Sequence, residues 1–252
     1  MTASVLAYHG VEARPAEQDP NGIFTPPDVF EEQMAFLARR RNVVTLDELL
    51  RGTGRGRPSV AITFDDGFRS VLTEAAPILE RFGFRATVFV PTAWIGKSNE
   101  WDAGGNAPIM SAEELVEARS RGIDVQSHGD AHVNLAQEGY DEAVRDLTKS
   151  SDRLEALLGE RPRFVAYPWG ASSDATTRAA EAVGFTAGFT INTKGGGAFA
   201  RARVPVTPLD SGRLFALKTS GRYLELRWSA PVRAGYAVVR PAVRALFDRS
   251  RA

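Results

Sequence analysis

Short apolar runs, each giving way to a stretch of helical spacing, alternate along this chain. Residues 4–8, 59–64, 86–90, 123–126, 164–167, 185–190 and 203–206 read as strands. Pro26, Pro27 and Asp28 open a helix with Phe30, Met34 and Leu37 on one face. Thr45 to Glu48 and Ser111 to Glu114 each match a capping box. Helical patterns over 70–82, 140–158 and 174–183 end at Gly83, Gly159 and Gly184, the residue type that closes a helix in left-handed backbone. A strand–helix–strand order requires crossovers, and crossovers build a parallel sheet covered by helices. Six or seven strands in 252 residues fit one α/β barrel, whole or incomplete.

Composition narrows the chemistry. Apolar residues make up 43% and charged residues 25%, the balance of an ordinary globular chain. Lys plus Arg and Asp plus Glu are equal at 31 each, so no net charge recruits nucleic acid. Cysteine is absent, so any metal must be held by histidine and carboxylate.

The loops after the C-terminal ends of the strands build the site of a parallel barrel. His9 follows the strand at 4–8, and Asp65 and Asp66 follow 59–64. His128 and His132 follow 123–126, and Pro168, Trp169 and Gly170 follow 164–167. All 3 histidines of the chain fall in this set. His128 and His132 can reach one ion if the segment makes a helical turn; equally, they are two polar loop residues. Gly129 stands where a zincin carries Glu. Adjacent Asp65 and Asp66 repel one another unless a cation or a shared proton intervenes. A metal on Asp66 resolves that and leaves Asp65 free as a base. The plainer reading is a helix cap and a glycine turn. With the histidine pair, Asp66 completes a triad of two His and one carboxylate with open positions.

These residues carry a resemblance. Thr63-Phe64-Asp65-Asp66-Gly67, then Ser127-His128-Gly129-Asp130-Ala131-His132, then the RPRFVAYPWG run at 161–170 resemble the three leading motifs of the polysaccharide deacetylases, the NodB-homology family of carbohydrate esterases. Their order and spacing agree over residues 4–206. The resemblance implies a single distorted (β/α)7 barrel. It implies that Asp65 is the general base, and that Asp66, His128 and His132 are metal ligands. It also implies that the third motif walls the groove and that the Trp169 N–H binds the oxyanion. The run Ala166-Tyr167-Pro168-Trp169-Gly170 lacks the motif Arg that supports the base in most of the family, and no His follows His132. Tyr8-His9-Gly10-Val11 is closer to the deacetylases of exopolysaccharide adhesins, in which the N-terminal motif supplies the general-acid histidine. His9 is then the acid; the alternative is a core histidine bonded to backbone. No motif places its carboxylate partner, and Asp210 is the candidate.

The function expected is metal-dependent removal of acetyl groups from an N-acetylhexosamine polymer, a bacterial exopolysaccharide of biofilm or adhesin type or its lipid-linked precursor. Zn²⁺ is the default ion, with Co²⁺, Ni²⁺ and Mn²⁺ compatible. Trp94, Trp101, Tyr167 and Trp169 either stack on sugar rings or pack the core, and Pro168 belongs to the groove wall. Two rivals use the same residues: an amidohydrolase of small acyl amides, and an inactive sugar-binding relative.

The barrel is expected over 1–210, with 211–252 a basic helical extension. From residue 211 onward 9 Lys/Arg oppose Glu225 and Asp248, so this segment is +7 and the rest −7. Arg233, Arg240, Arg244 and Arg251 form one stripe, interrupted near Pro241, with Val232, Tyr236, Val239, Val243 and Leu246 opposite. Such a helix suits either the flank of the barrel or, over 231–252, an anionic membrane surface. The opening MTASVLAYHG has no basic start and no long apolar run, so the expected location is the cytoplasm, at the inner membrane surface if the extension binds lipid.

Overall fold

A computed structural model describes residues 3–52, 56–102, 105–191 and 193–229. The strands are β1 (Ala3–Tyr8), β2 (Gly10–Val11), β3 (Phe24–Thr25), β4 (Asn42–Val43), β5 (Ser59–Phe64), β6 (Ala86–Val90), β7 (Ile123–Ser127), β8 (Phe164–Ala166), β9 (Ala187–Ile191) and β10 (Arg201–Pro205). The helices are α1 (Pro27–Arg40), α2 (Leu46–Leu50), α3 (Ala76–Arg81), α4 (Ala112–Ser120), α5 (Tyr140–Leu158), α6 (Asp174–Val183), α7 (Gly212–Lys218) and α8 (Tyr223–Arg227).

The main sheet is parallel and runs β1-β10-β9-β8-β7-β6-β5. β5 then pairs with β1 along its whole length, from Ala3 against Ser59 to Tyr8 against Phe64. That pairing closes a distorted (β/α)7 barrel, as the resemblance implied. The distortion sits at β5. Its end, Thr63 and Phe64, pairs with β6, while its start, Ser59 and Val60, pairs with β4 on the same edge.

Alternation along β1 and β5 sorts the core into two layers. Leu6, Tyr8, Val60, Ile62 and Phe64 pack outward in one cluster with Phe30, Met34 and Leu37 of α1. Val5 and Ala61 share a separate cluster with Phe89, Phe164 and Phe189. Each fully buried side chain of this size stabilises by about 2 kcal/mol relative to exposure. The same alternation puts Thr63 on the inner side and carries on to Asp65.

The expected helix ends are observed. Thr45 and Ser111 close capping boxes with Glu48 and Glu114. Gly159 and Gly184 end α5 and α6 at φ 74° and 100°. The helix expected at 70–82 starts differently. Val71–Ala75 is a π turn, with Ala76 N–H donating to Val71 O. Pro77 follows at once and has no N–H of its own to extend an α ladder.

Beyond β10, α7 and α8 fasten onto the barrel. Ser4 Oγ donates to Lys218 O at 3.0 Å, and Arg41 Nη2 donates to Ala216 O at 2.7 Å. The basic stripe expected over 231–252 lies outside the described residues. No helix among the described residues is long and apolar enough to cross a membrane.

Candidate active site

The chain leaves β5 at Asp65, whose N–H donates to Tyr8 O at 2.9 Å. Asp66 and Gly67 then both take left-handed backbone, at φ 67° each. The turn is tight: a Cβ on Gly67 would lie 3.0 Å from the Val90 side chain. It swings the Asp66 carboxylate toward the end of β7.

There, His128 N–H donates to Val90 O at 3.0 Å, and its Nδ1 lies 2.7 Å from Ala166 O. The Nδ1 contact fixes the ring and leaves Nε2 3.3 Å from Asp66 Oδ1. His132 Nε2 lies 3.2 Å from the same oxygen. The two rings meet without the helical turn that their spacing suggested. Residues 128–132 form a loop with Gly129 at φ 72° and His132 at φ 58°. Asp146 of α5 holds that loop, accepting the Asp130 and Ala131 N–H groups at 2.8 and 2.9 Å. Thr92 Oγ1 and Arg153 both bond the Asp130 carboxylate.

One ligand atom from each of Asp66, His128 and His132 lies within 4.8 Å of the others, and all three residues are buried. Two imidazoles and a carboxylate, one ring oriented through its second nitrogen, are the donor set of a divalent transition metal with positions left open. The residues therefore fit such an ion. Charge is arranged accordingly. Burial alone would push the Asp66 carboxyl up, but hydrogen bonds from His128 and His132 and the charges of His132 and His9 hold it well below its ordinary value. Burial opposes a charged His128, yet Asp65 and Asp66 raise it.

Asp65 has a partner that no motif announced. Arg203 of β10 is fully buried and clasps it with both arms, Nη1 to Oδ1 at 2.6 Å and Nη2 to Oδ2 at 2.7 Å. Nη1 also donates to Thr63 Oγ1 at 3.0 Å. Burial would raise Asp65, and the Arg203 and His128 charges outweigh it, so the carboxyl sits below its ordinary value.

The chain matches the Polysaccharide deacetylase family over residues 52–188, more than half its length and inclusive of Asp65, Asp66, His128 and His132. It belongs to that family. YxkH of Bacillus subtilis is 27% identical over 230 residues, covering 88% of this chain and 75% of YxkH. The poly-beta-1,6-N-acetyl-D-glucosamine N-deacetylase of Staphylococcus epidermidis is 29% identical over 178 residues, which are 66% of this chain and 60% of that enzyme. Among solved structures, IcaB of Ammonifex degensii superposes with a TM-score of 0.73 at 24% identity, covering 87% of this chain and 97% of IcaB. The deacetylase PplD of Streptococcus pyogenes gives 0.73 at 23%, covering 87% and 98%. These last two likenesses are of fold.

His9 and Arg203 lie outside the residues of the family match. The third motif carries no Arg to pair with Asp65; the Arg that pairs with it comes from β10. An Arg directly before the apolar run Val204-Pro205-Val206 was the available signal. His9, half-buried, lines a cleft of about 310 Å³ with Asp65, Asp66, His128 and His132. Asp210 is not its partner. The Asp210 carboxylate takes Lys218 Nζ at 2.6 Å and the Thr207 N–H at 2.7 Å, in a buried knot that ties α7 to the loop after β10.

The aromatic candidates separate. The Tyr167 ring is fully buried with its hydroxyl donating to Phe199 O at 2.8 Å, so it offers no face to a sugar. Pro168 is buried beside it. Trp169 stands 58% exposed on the cleft at φ 63°. Trp101 stacks on His132, and Trp94 meets Trp101 edge-on. Asn21 and Asp102, joined by a 3.1 Å hydrogen bond, complete the cleft wall from loops that carry no motif.

Proposed function

We propose that this protein is a metal-dependent N-deacetylase acting on an N-acetylhexosamine polymer, and that Zn²⁺ is its ion. The observation that carries this reading is the buried Asp66–His128–His132 triad with Asp65 beside it in one open cleft. The staphylococcal relative, by its name, acts on poly-beta-1,6-N-acetyl-D-glucosamine, which supports a polymer of that class. An open cleft walled by an exposed Trp169 suits a sugar chain better than a small acyl amide.

Asp66, His128 and His132 would hold the ion. When bound, it supplies Lewis acidity, polarising a carbonyl and easing the deprotonation of water. Asp65 takes the proton of the attacking water. Arg203 keeps Asp65 ionised for that task and fixes both its oxygens. The Trp169 N–H donates to the oxyanion as it forms. His9 gives a proton to the leaving nitrogen, which departs poorly as an anion.

Acetate release from N-acetylglucosamine oligomers, with metal added back after chelation, tests the reading. Asp66→Ala should lose both metal and activity, and Asp65→Ala should lose activity but keep metal. His9→Ala should slow turnover by about 10²–10⁴-fold. If the chain binds these oligomers yet releases no acetate with any divalent ion, it is a sugar-binding protein and the proposal is wrong.

A further inference from the structure

The two imidazoles of the triad are held in different ways. His128 has its Nδ1 on a backbone carbonyl, the usual means of orienting a metal-binding histidine. His132 does not: its Nδ1 is buried and has no hydrogen-bond partner among the described residues. Its backbone is also left-handed, which a residue with a Cβ adopts at a cost unless its surroundings insist. Something other than a hydrogen bond at Nδ1 must set the angle of this ring.

Trp101 lies over it. The indole and imidazole centroids are 3.9 Å apart with planes 25° from parallel. Trp94 supports the indole from the side, at 5.1 Å and 81°, and its Nε1 donates to Ala131 O at 3.1 Å, one residue before His132. The loop carrying both tryptophans is stapled to the two metal-site segments. Thr92 and Ala93 N–H donate to Gly129 O and Asp130 O at 3.1 and 3.0 Å. At the far end, Met110 N–H donates to Gly67 O at 2.9 Å. An imidazole that gives its lone pair to a cation becomes electron-poor, and the indole face is the strongest aromatic acceptor of such charge.

We propose that Trp101 is the positioning residue of the metal ligand His132, its stacked ring taking the part that the Ala166 carbonyl plays for His128. The inference rests on the metal reading above and adds to it a residue that touches no ion. It also changes the task of Trp101, which supports a ligand with one face instead of offering both to a sugar.

Metal affinity and the visible spectrum of the Co²⁺-loaded protein test this on the full chain. Trp101→Leu keeps apolar bulk without a π face, and should weaken Zn²⁺ and Co²⁺ binding by about 10–100-fold and alter the Co²⁺ bands. Trp101→Phe keeps a stacking ring and should restore both. A Trp101→Leu protein that binds as tightly as the parent, with an unchanged Co²⁺ spectrum, overturns the inference and leaves the metal reading intact. Failure of the parent itself to bind either ion overturns both. If Trp101→Leu does not fold, Zn²⁺ titration followed by tryptophan emission decides the matter. Most of the parent's response should vanish in Trp101→Phe, and an undiminished response counts against the stack.

Discussion

Left-handed backbone brings the Cβ of an L-residue against its own carbonyl and costs roughly 1–2 kcal/mol. Among the described residues only Asp66, His132 and Trp169 accept this without being glycine, and all three line the cleft. For Asp66 and His132 the side chain's position in the triad explains the choice. Trp169 is the informative case, because the residue is 58% exposed and gains less from burial than the other two. Trp169→Gly should therefore raise stability by about 1 kcal/mol while slowing turnover through the lost cleft wall. Denaturant melts and acetate release on one protein sample read both effects, and equal or lower stability would remove the strain argument. Arg203 makes the opposite case. Removing one member of a buried ion pair costs about 3–5 kcal/mol, so Arg203→Ala should be poorly folded. Arg203→Lys keeps the charge but loses the fork. Arg203 holds the Asp65 carboxyl down, so weakening that hold lets it rise. The acid limb of the rate profile should move to higher pH in Arg203→Lys, and an unmoved limb would separate Arg203 from the base.

At the scale of elements, caps and period-two alternation made most of the barrel legible before any coordinates. Ser111 closes its capping box as the sequence implied, and Ser111→Ala should cost about 1 kcal/mol by loss of that cap. β4, β2 and β3 were not legible because two residues leave no period to read. The His128–His132 approach was legible as a pair but not in its path: the helical turn that would join the rings is replaced by a loop shaped by Asp146, a residue of the following helix. Arg203 carries no sequence signal of its pairing for the same reason: its meaning depends on β10 lying against β1, a contact between distant parts of the chain. Asp124 on β7 gives a test of electrostatics at this scale. Burial raises its carboxyl, more than the hydrogen bond from Gln126 and the charge of Arg163 lower it. A carboxyl raised in the fold favours folding while protonated and loses that advantage as pH climbs through its native value. Asp124→Asn does not titrate, so its stability should gain on the parent's between pH 4 and pH 7. Urea midpoints at the two pH values give the sign directly.

Taken whole, the molecule places its site across the seam where the barrel closes. β1 pairs with β5 on one side and β10 on the other, and these three strands deliver His9, the Asp65–Asp66 pair and Arg203. β7, from elsewhere on the wall, brings His128 and His132. No local segment holds the site by itself, so losing the closed barrel must scatter it. An ion bound by Asp66, His128 and His132 then stabilises only the fully closed state. At a free concentration 100-fold above Kd that linkage is worth about 2.7 kcal/mol. For a chain of this size it corresponds to a rise of about 5–10 °C in Tm. Zn²⁺ added to chelated protein should produce such a rise in both tryptophan emission, which reports the cleft, and far-UV circular dichroism, which reports the barrel. The two curves should move together, and Asp66→Ala should show no shift. If emission alone responds to Zn²⁺, the triad is a local loop site whose occupancy is uncoupled from closure, and the seam has no part in holding it.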